Sequence, residues 1–136
     1  MFLGGGGHEQ LLDKAFAAAC SGPLVYWPFA MADHPEFSTC EAWLRRAFEP
    51  LGLDDINTWP SLGGRDLAEL RGAAGLYIGG GNTYLLLFEL QSHGALAAVR
   101  SLAAAGLPVY GASAGAAVLG STIETIAHLD PNAVGI

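Results

Sequence analysis

The 136-residue sequence is short of charge. Only 14% of its residues are Asp, Glu, Lys or Arg, while 51% are hydrophobic, a balance that excludes a disordered chain. Cations are the scarcest group: six Lys and Arg stand against thirteen Asp and Glu, for a net charge of −7. With no basic stripe along the chain, no nucleic-acid partner is expected. Cysteine is nearly absent as well. Cys20 and Cys40 are too few for a disulfide framework and have no nearby histidine pattern for zinc. Both fall on predicted helical faces, so they read as buried free thiols of a reducing cytosol. The first ten residues lack the basic and apolar regions of a signal peptide. A long apolar span is missing too. The uncharged stretch between Arg100 and Glu124 is broken by Gly106, Pro108, Gly111, Gly115 and Gly120, so it reads as helix end, strand, turn and helix. The chain is therefore expected to be soluble and cytoplasmic, with no membrane partner.

What the sequence does have is glycine, 19 residues of it, set between short apolar runs. A chain of this length forms one domain, residues 1–136, and can bury about two-thirds of its unfolded surface. Strand-like runs at Phe2-Leu3, Leu24 to Trp27, Asp55 to Trp59, Leu76 to Ile78 and Leu107 to Tyr110 alternate with helical periods. The helical periods cover Glu9 to Cys20, Glu36 to Leu51, Arg65 to Gly72, Tyr84 to Gln91, Ala95 to Ala105 and about Ala114 to Gly120. This alternation predicts an α/β fold: a three-layer, mostly parallel sheet with helices on both faces. Ligands of such sheets bind beyond the carboxyl ends of the strands.

Gly111-Ala112-Ser113-Ala114-Gly115 matches G-x-S-x-G between an apolar strand and a helix, the context of a nucleophile elbow. A sharp strand-to-helix bend lifts the serine Oγ clear of the sheet, and crowding at the bend calls for glycine on both flanks. N–H groups at the start of the helix behind it favour an oxyanion. The competing reading is a small-residue turn that lets a helix pack close to a strand. Gly79-Gly80-Gly81-Asn82-Thr83 ends the preceding strand and should share that rim. It can supply further backbone donors, with Asn82 or Thr83 capping the next helix. Gly4 to Gly7 misses both the dinucleotide and the phosphate-loop patterns and reads as a plain turn at the rim.

These residues resemble the peptidase E group of serine peptidases, which includes cyanophycinases. The resemblance runs through Trp27-Pro28-Phe29-Ala30, Pro50-Leu51-Gly52, Gly79 to Thr83 and Gly111 to Ala116. It implies a fold like class I glutamine amidotransferases (flavodoxin-like), with serine in place of their cysteine. Ser113 would be the nucleophile, and N–H groups of Gly80 or Gly81 and of Ala114 would form the oxyanion hole. It implies hydrolysis of an amide in small peptides, among them peptides with an N-terminal aspartate, and no metal or organic cofactor.

The family's histidine is expected beyond Ile136 and its Asn-Asp-Met stretch is missing, so the chain resembles the N-terminal two-thirds of a member. A companion C-terminal chain or a homodimer is then expected, with an unpaired sheet edge or open face near residues 120–136. Within the chain His8 is the best placed histidine. His34 and His93 read as surface and His128 as able to lie near the site, while Glu124 and Asp130 are candidate orienting acids whose default reading is solvated carboxylates. The alternative function is a non-catalytic, ligand-binding homologue that keeps the elbow. An ordinary α/β-hydrolase would want its oxyanion loop well upstream.

Overall fold

In the computed structural model, residues 1–7, 9–31 and 34–136 are described, the side chains of 34–36 and 125 excepted. Five strands form one sheet: β1 (Phe2–Gly4), β2 (Leu24–Trp27), β3 (Ile56–Thr58), β4 (Gly75–Ile78) and β5 (Val109–Ala112). Their order is β1-β5-β4-β2-β3, and every pairing is parallel. The helices are α1 (Gln10–Ala19), α2 (His34–Phe48), α3 (Thr83–Ser92), α4 (Ala95–Ala104) and α5 (Ala114–Leu119). The expected three-layer α/β architecture is therefore present. No helix among the described residues is long and apolar enough to cross a membrane.

Two-sided burial explains why the strands read as continuous apolar runs. Along β2, Leu24 and Tyr26 enter one core with Phe16 of α1 and Leu44 and Phe48 of α2. Val25 and Trp27 enter the other, with Leu86 and Leu90 of α3 and Val99 of α4. The first core is aromatic. Register aligns Tyr26 with Tyr77 and Tyr77 with Tyr110. The last two rings stack at 4.7 Å, and Phe16 meets Tyr110 edge-on at 5.3 Å; such pairs add about 1 kcal/mol beyond area burial.

Several boundaries differ from the sequence reading, each for a local reason. The last strand begins at Val109 and runs through Ala112, because Gly111 and Ala112 pair with Leu3 and Gly4. The first half of the serine motif is thus strand. The second long helix starts at His34 and tightens into a 3-10 turn at Glu49–Leu51, with Gly52 at φ 88° as its left-handed cap. Arg65 to Gly72 shortens to a 3-10 helix at Leu67–Gly72, started by an Asp66 and Glu69 capping box. The outer strands are β1 and β3, whereas the described residues beyond 119 hold a 3-10 turn and no strand. No sheet edge is therefore formed by the described residues near 120–136.

Helix placement positions the site. α1 and α2, which follow β1 and β2, pack on one face, while α3 and α5, which follow β4 and β5, pack on the other. Neighbouring strands β1 and β5 thus send their chains to opposite faces, as do β4 and β2. A crevice opens at such reversals, beyond the strand carboxyl ends.

Candidate active site

Three glycine-containing turns meet in that crevice. At the end of β5, Ser113 adopts φ 50° and ψ −107°, and it is the one non-glycine residue with positive φ among the described residues. Conformations of this kind cost on the order of 1–3 kcal/mol and persist where surroundings impose them. Here the Ser113 N–H donates to the Gly4 carbonyl at 2.8 Å, and its carbonyl accepts from the Ala117 N–H at 3.0 Å. The backbone is held on both sides while the side chain stays exposed.

The flanking glycines are a steric requirement. A Cβ on Gly111 would lie 2.6 Å from the Gly115 carbonyl oxygen, and one on Gly115 would lie 2.3 Å from the Ile78 carbonyl oxygen. Ala114 opens α5 and is buried. First-turn N–H groups have no intrahelical acceptor, so the amides after Ser113 remain as donors. With six residues, α5 contributes through those amides more than through a long helix dipole.

The β4–α3 turn borders Ser113 directly. A Cβ on Gly80 would stand 3.2 Å from the Ser113 Cβ. Gly81, at φ 132°, packs its open side on the Ala30 carbonyl oxygen, 2.3 Å from where a Cβ would be. Asn82 then caps α3, its Oδ1 accepting from the Tyr84 and Leu85 N–H groups at 3.0 Å each. The Thr83 N–H donates to Asp130 Oδ2 at 2.7 Å, and Asn82 Nδ2 donates to the Pro131 carbonyl at 3.0 Å. Asp130 is therefore a second cap on α3 and not the solvated acid expected from sequence.

The third turn is the one the sequence reading left out of the site. Gly6, at φ 97°, would place a Cβ 2.9 Å from the Ser113 Cβ, and Gly5 and Gly6 both line the same cleft as Ser113. This loop is tied down from below. The Gly5 N–H donates to Glu9 Oε1, the Glu9 N–H to Asp13 Oδ2 at 3.2 Å, and the buried Tyr110 hydroxyl to Asp13 Oδ1 at 3.0 Å. Burial, then the Asp13 hydrogen bond and charge, pushes the Tyr110 phenol well above its ordinary range. A signal was available: Gly4 to Gly7 follows a strand carboxyl end, as the other two turns do.

The cleft holds about 460 Å³, a volume suited to a small ligand. Its rim includes Ser113 and Gly79 to Gly81, its floor Tyr26 and Tyr77, and its far wall Thr39, Cys40 and Trp43 of α2. Cys40 is half-buried at this wall, not enclosed in the core as expected; Cys20 is buried, and both are thiols. Burial raises the Cys20 thiol to about 11. Burial, followed by the proximity of Cys40, also raises Tyr26, and burial, followed by Tyr110, raises Tyr77, so the floor is uncharged at neutral pH.

Ser113, Gly80 and Gly81 are thus brought together, with Ala114 next in the chain. The other sequence candidates that the structure describes are not assembled with them. His8 lies outside the described residues, as does the His34 side chain. His93 ends α3, its Nδ1 3.0 Å from the Glu89 carbonyl oxygen. His128 and Glu124 are exposed and are not among the cleft-lining residues. Among the described residues, no group of three or more His, Cys, Asp or Glu could hold a metal ion.

Comparison with known proteins gives this geometry a lineage. The sequence model of Peptidase family S51 matches residues 1–134. A Drosophila melanogaster protein named "Probable alpha-aspartyl dipeptidase" is 34% identical over 117 residues, 84% of this chain and 46% of that protein. A Streptomyces coelicolor "Peptidase E" is 33% identical over 118 residues, again 46% of its length. The chain thus spans about half the length of these curated relatives. The solved structure of a "Putative Peptidase E Protein" from Listeria monocytogenes EGD-e superposes with a TM-score of 0.80 at 30% identity, covering 98% of this chain and 69% of that one. A peptidase from an acI-B1 Actinobacterium shares the fold, with a TM-score of 0.71 at 19% identity over 86% of this chain and 55% of that one. With the family match extending over nearly its whole length, this chain belongs to peptidase family S51.

Proposed function

We propose that the chain carries the nucleophile and oxyanion hole of a serine peptidase that hydrolyses an amide bond in small peptides. The observation that carries this reading is the exposed Ser113 side chain on a positive-φ bend, bordered by Gly6 and Gly80. In the proposed reaction Ser113 Oγ attacks the scissile carbonyl carbon while its proton passes to a base. The carbonyl π electrons move onto oxygen, where N–H groups of Gly80 or Gly81 and of Ala114 receive the charge. Collapse expels the amine, which takes the proton from the base, and water then releases the acid by the same steps in reverse order. Each well-aimed donor contributes about 3 kcal/mol to lowering the barrier.

The base in this proposal is a histidine from outside the described residues, brought by further sequence or by a companion chain or second copy. The relatives' greater length supports that source. An N-terminal aspartyl peptide is the substrate suggested by the Drosophila relative's name. A cation to read that carboxylate would likewise come from elsewhere, since no Lys or Arg is among the described residues that line the cleft.

A fluorophosphonate probe tests the nucleophile. Labelling of the purified protein that disappears in Ser113→Ala is the expected result. A folded protein with its base in place that is not labelled, or labelling that survives Ser113→Ala, overturns it and favours the ligand-binding alternative.

A further inference from the structure

The wall opposite the nucleophile is made of unusual material for a cleft meant to hold a charged group. Trp43 and Cys40 of α2 line it half-buried, with Thr39 exposed beside them and the Tyr26 and Tyr77 rings below. No described side chain lining the cleft is an Asp, Glu, Lys, Arg or His. Among the described residues, the charges that act on the floor are Glu41 on Tyr26 and Asp13 and Glu9 on Tyr77, and Glu41 is itself paired with Arg45 at 2.9 Å. An anionic side chain would be repelled there. A cationic one would lose hydration with no lining carboxylate to replace it, a large cost. An uncharged ring meets the half-buried Trp43 and, among the described lining residues, no charged side chain, which is how aromatic-lined pockets select ligands.

We infer that the α2 side of this cleft, with Trp43 as its wall over Tyr26 and Tyr77, binds an uncharged and preferentially aromatic side chain of the substrate. The inference rests on the reading of the cleft as a peptide site and adds its specificity. An N-terminal aspartate, if one is recognised, then belongs on another side of Ser113, and the aromatic residue lies against α2.

The test uses four blocked amino acids as probes: the N-acetyl amides of phenylalanine, alanine, aspartate and lysine. Dissociation constants come from ligand-observed NMR at neutral pH. Trp43 emission locates the binding, because Trp27 and Trp59 are 0% and 1% exposed. The phenylalanine amide should bind about fivefold tighter than the alanine amide and should shift the Trp43 emission. In Trp43→Ala that ratio should fall to near one. A ratio near one in the unaltered protein, tighter binding of the aspartate or lysine amide, or a ratio that survives Trp43→Ala overturns the inference.

Should Trp43→Ala fail to fold, Thr39→Arg decides the point from an exposed position. It should tighten the aspartate amide about threefold, and no change would place the ligand away from this wall. Ser113→Ala separates the two claims. If fluorophosphonate labelling fails with the base in place but the aromatic preference persists, only the catalytic reading falls. If Ser113-dependent labelling stands without the preference, only the subsite falls.

Discussion

Two strand-to-helix turns stand side by side on this sheet and solve the same problem in opposite ways. β4 leads into α3 through Gly79 to Asn82, and β5 leads into α5 through Ser113. Their steric demands match: in each, a glycine would place a Cβ 2.3 Å from a backbone carbonyl oxygen, Gly81 against Ala30 and Gly115 against Ile78. Their termini do not match. α3 is capped by Asn82 at an ordinary φ of −76° and by Asp130, which together occupy three of its first N–H groups. α5 has no side-chain cap, and its N-cap residue is the strained Ser113. The start of α3 has its donors satisfied by side chains, whereas the uncapped start of α5 leaves donors and an exposed hydroxyl to the cleft. The difference lies in how the two helices begin, and glycine content alone does not show it.

The largest expected effect follows from the hydroxyl. Ser113→Ala should lower the labelling or hydrolysis rate by at least about 10³-fold, with little change in melting temperature because its side chain does not cap α5. Next come the two glycines. Gly81→Ala and Gly115→Ala should each cost about 3 kcal/mol in denaturant unfolding, since backbone must move to relieve the clash. Similar losses at both sites would show that the turns differ in chemistry and not in packing. Were Gly115→Ala tolerated, the tight seat of α5 against Ile78 would be wrong.

Much of this comparison could be read in the sequence, and the part that could not has a physical explanation. Leu24 to Trp27 and the paired motifs at Gly79 and Gly111 were legible because local chemistry decides them: apolar runs buried on both faces, and glycine where a bend forbids a side chain. The α3 cap was legible in Asn82 for the same reason. Gly6 was not, because its role depends on β1 lying next to β5, a pairing between residues about a hundred apart in sequence. Nor was the α2 wall. Cys40 sits within a helical period that looks like core from sequence, and only the reversal between β4 and β2 turns it and Trp43 toward an opening. Asp130 looked solvated because nothing local predicts that it folds back on Thr83.

Asn82→Ala tests the capped start of α3. Loss of the cap to Tyr84 and Leu85 should cost about 1–2 kcal/mol, leaving fluorophosphonate labelling of Ser113 within a few-fold of its starting rate. The readouts are a chemical denaturation curve and a labelling time course on the same sample. If labelling collapses while the protein stays folded, the Asn82 cap also holds Gly80 and Gly81 in place as donors. The two turns would then work as one unit.

The smallest effect tests the strain itself. Ser113→Gly removes a side chain from φ 50°, which should recover part of a cost on the order of 1–3 kcal/mol. Against that gain stands the extra backbone entropy of glycine in the unfolded chain, about 0.5–1 kcal/mol. No side-chain cap is lost, because Ser113 provides none to α5. The balance predicts a gain of about 1 kcal/mol in unfolding free energy together with complete loss of labelling. A variant that is both more stable and unreactive is the signature of a bend held strained to expose its hydroxyl. A loss of stability would mean instead that close packing of the Ser113 side chain beside Gly6 and Gly80 holds the bend together, leaving it as well packed as its neighbour.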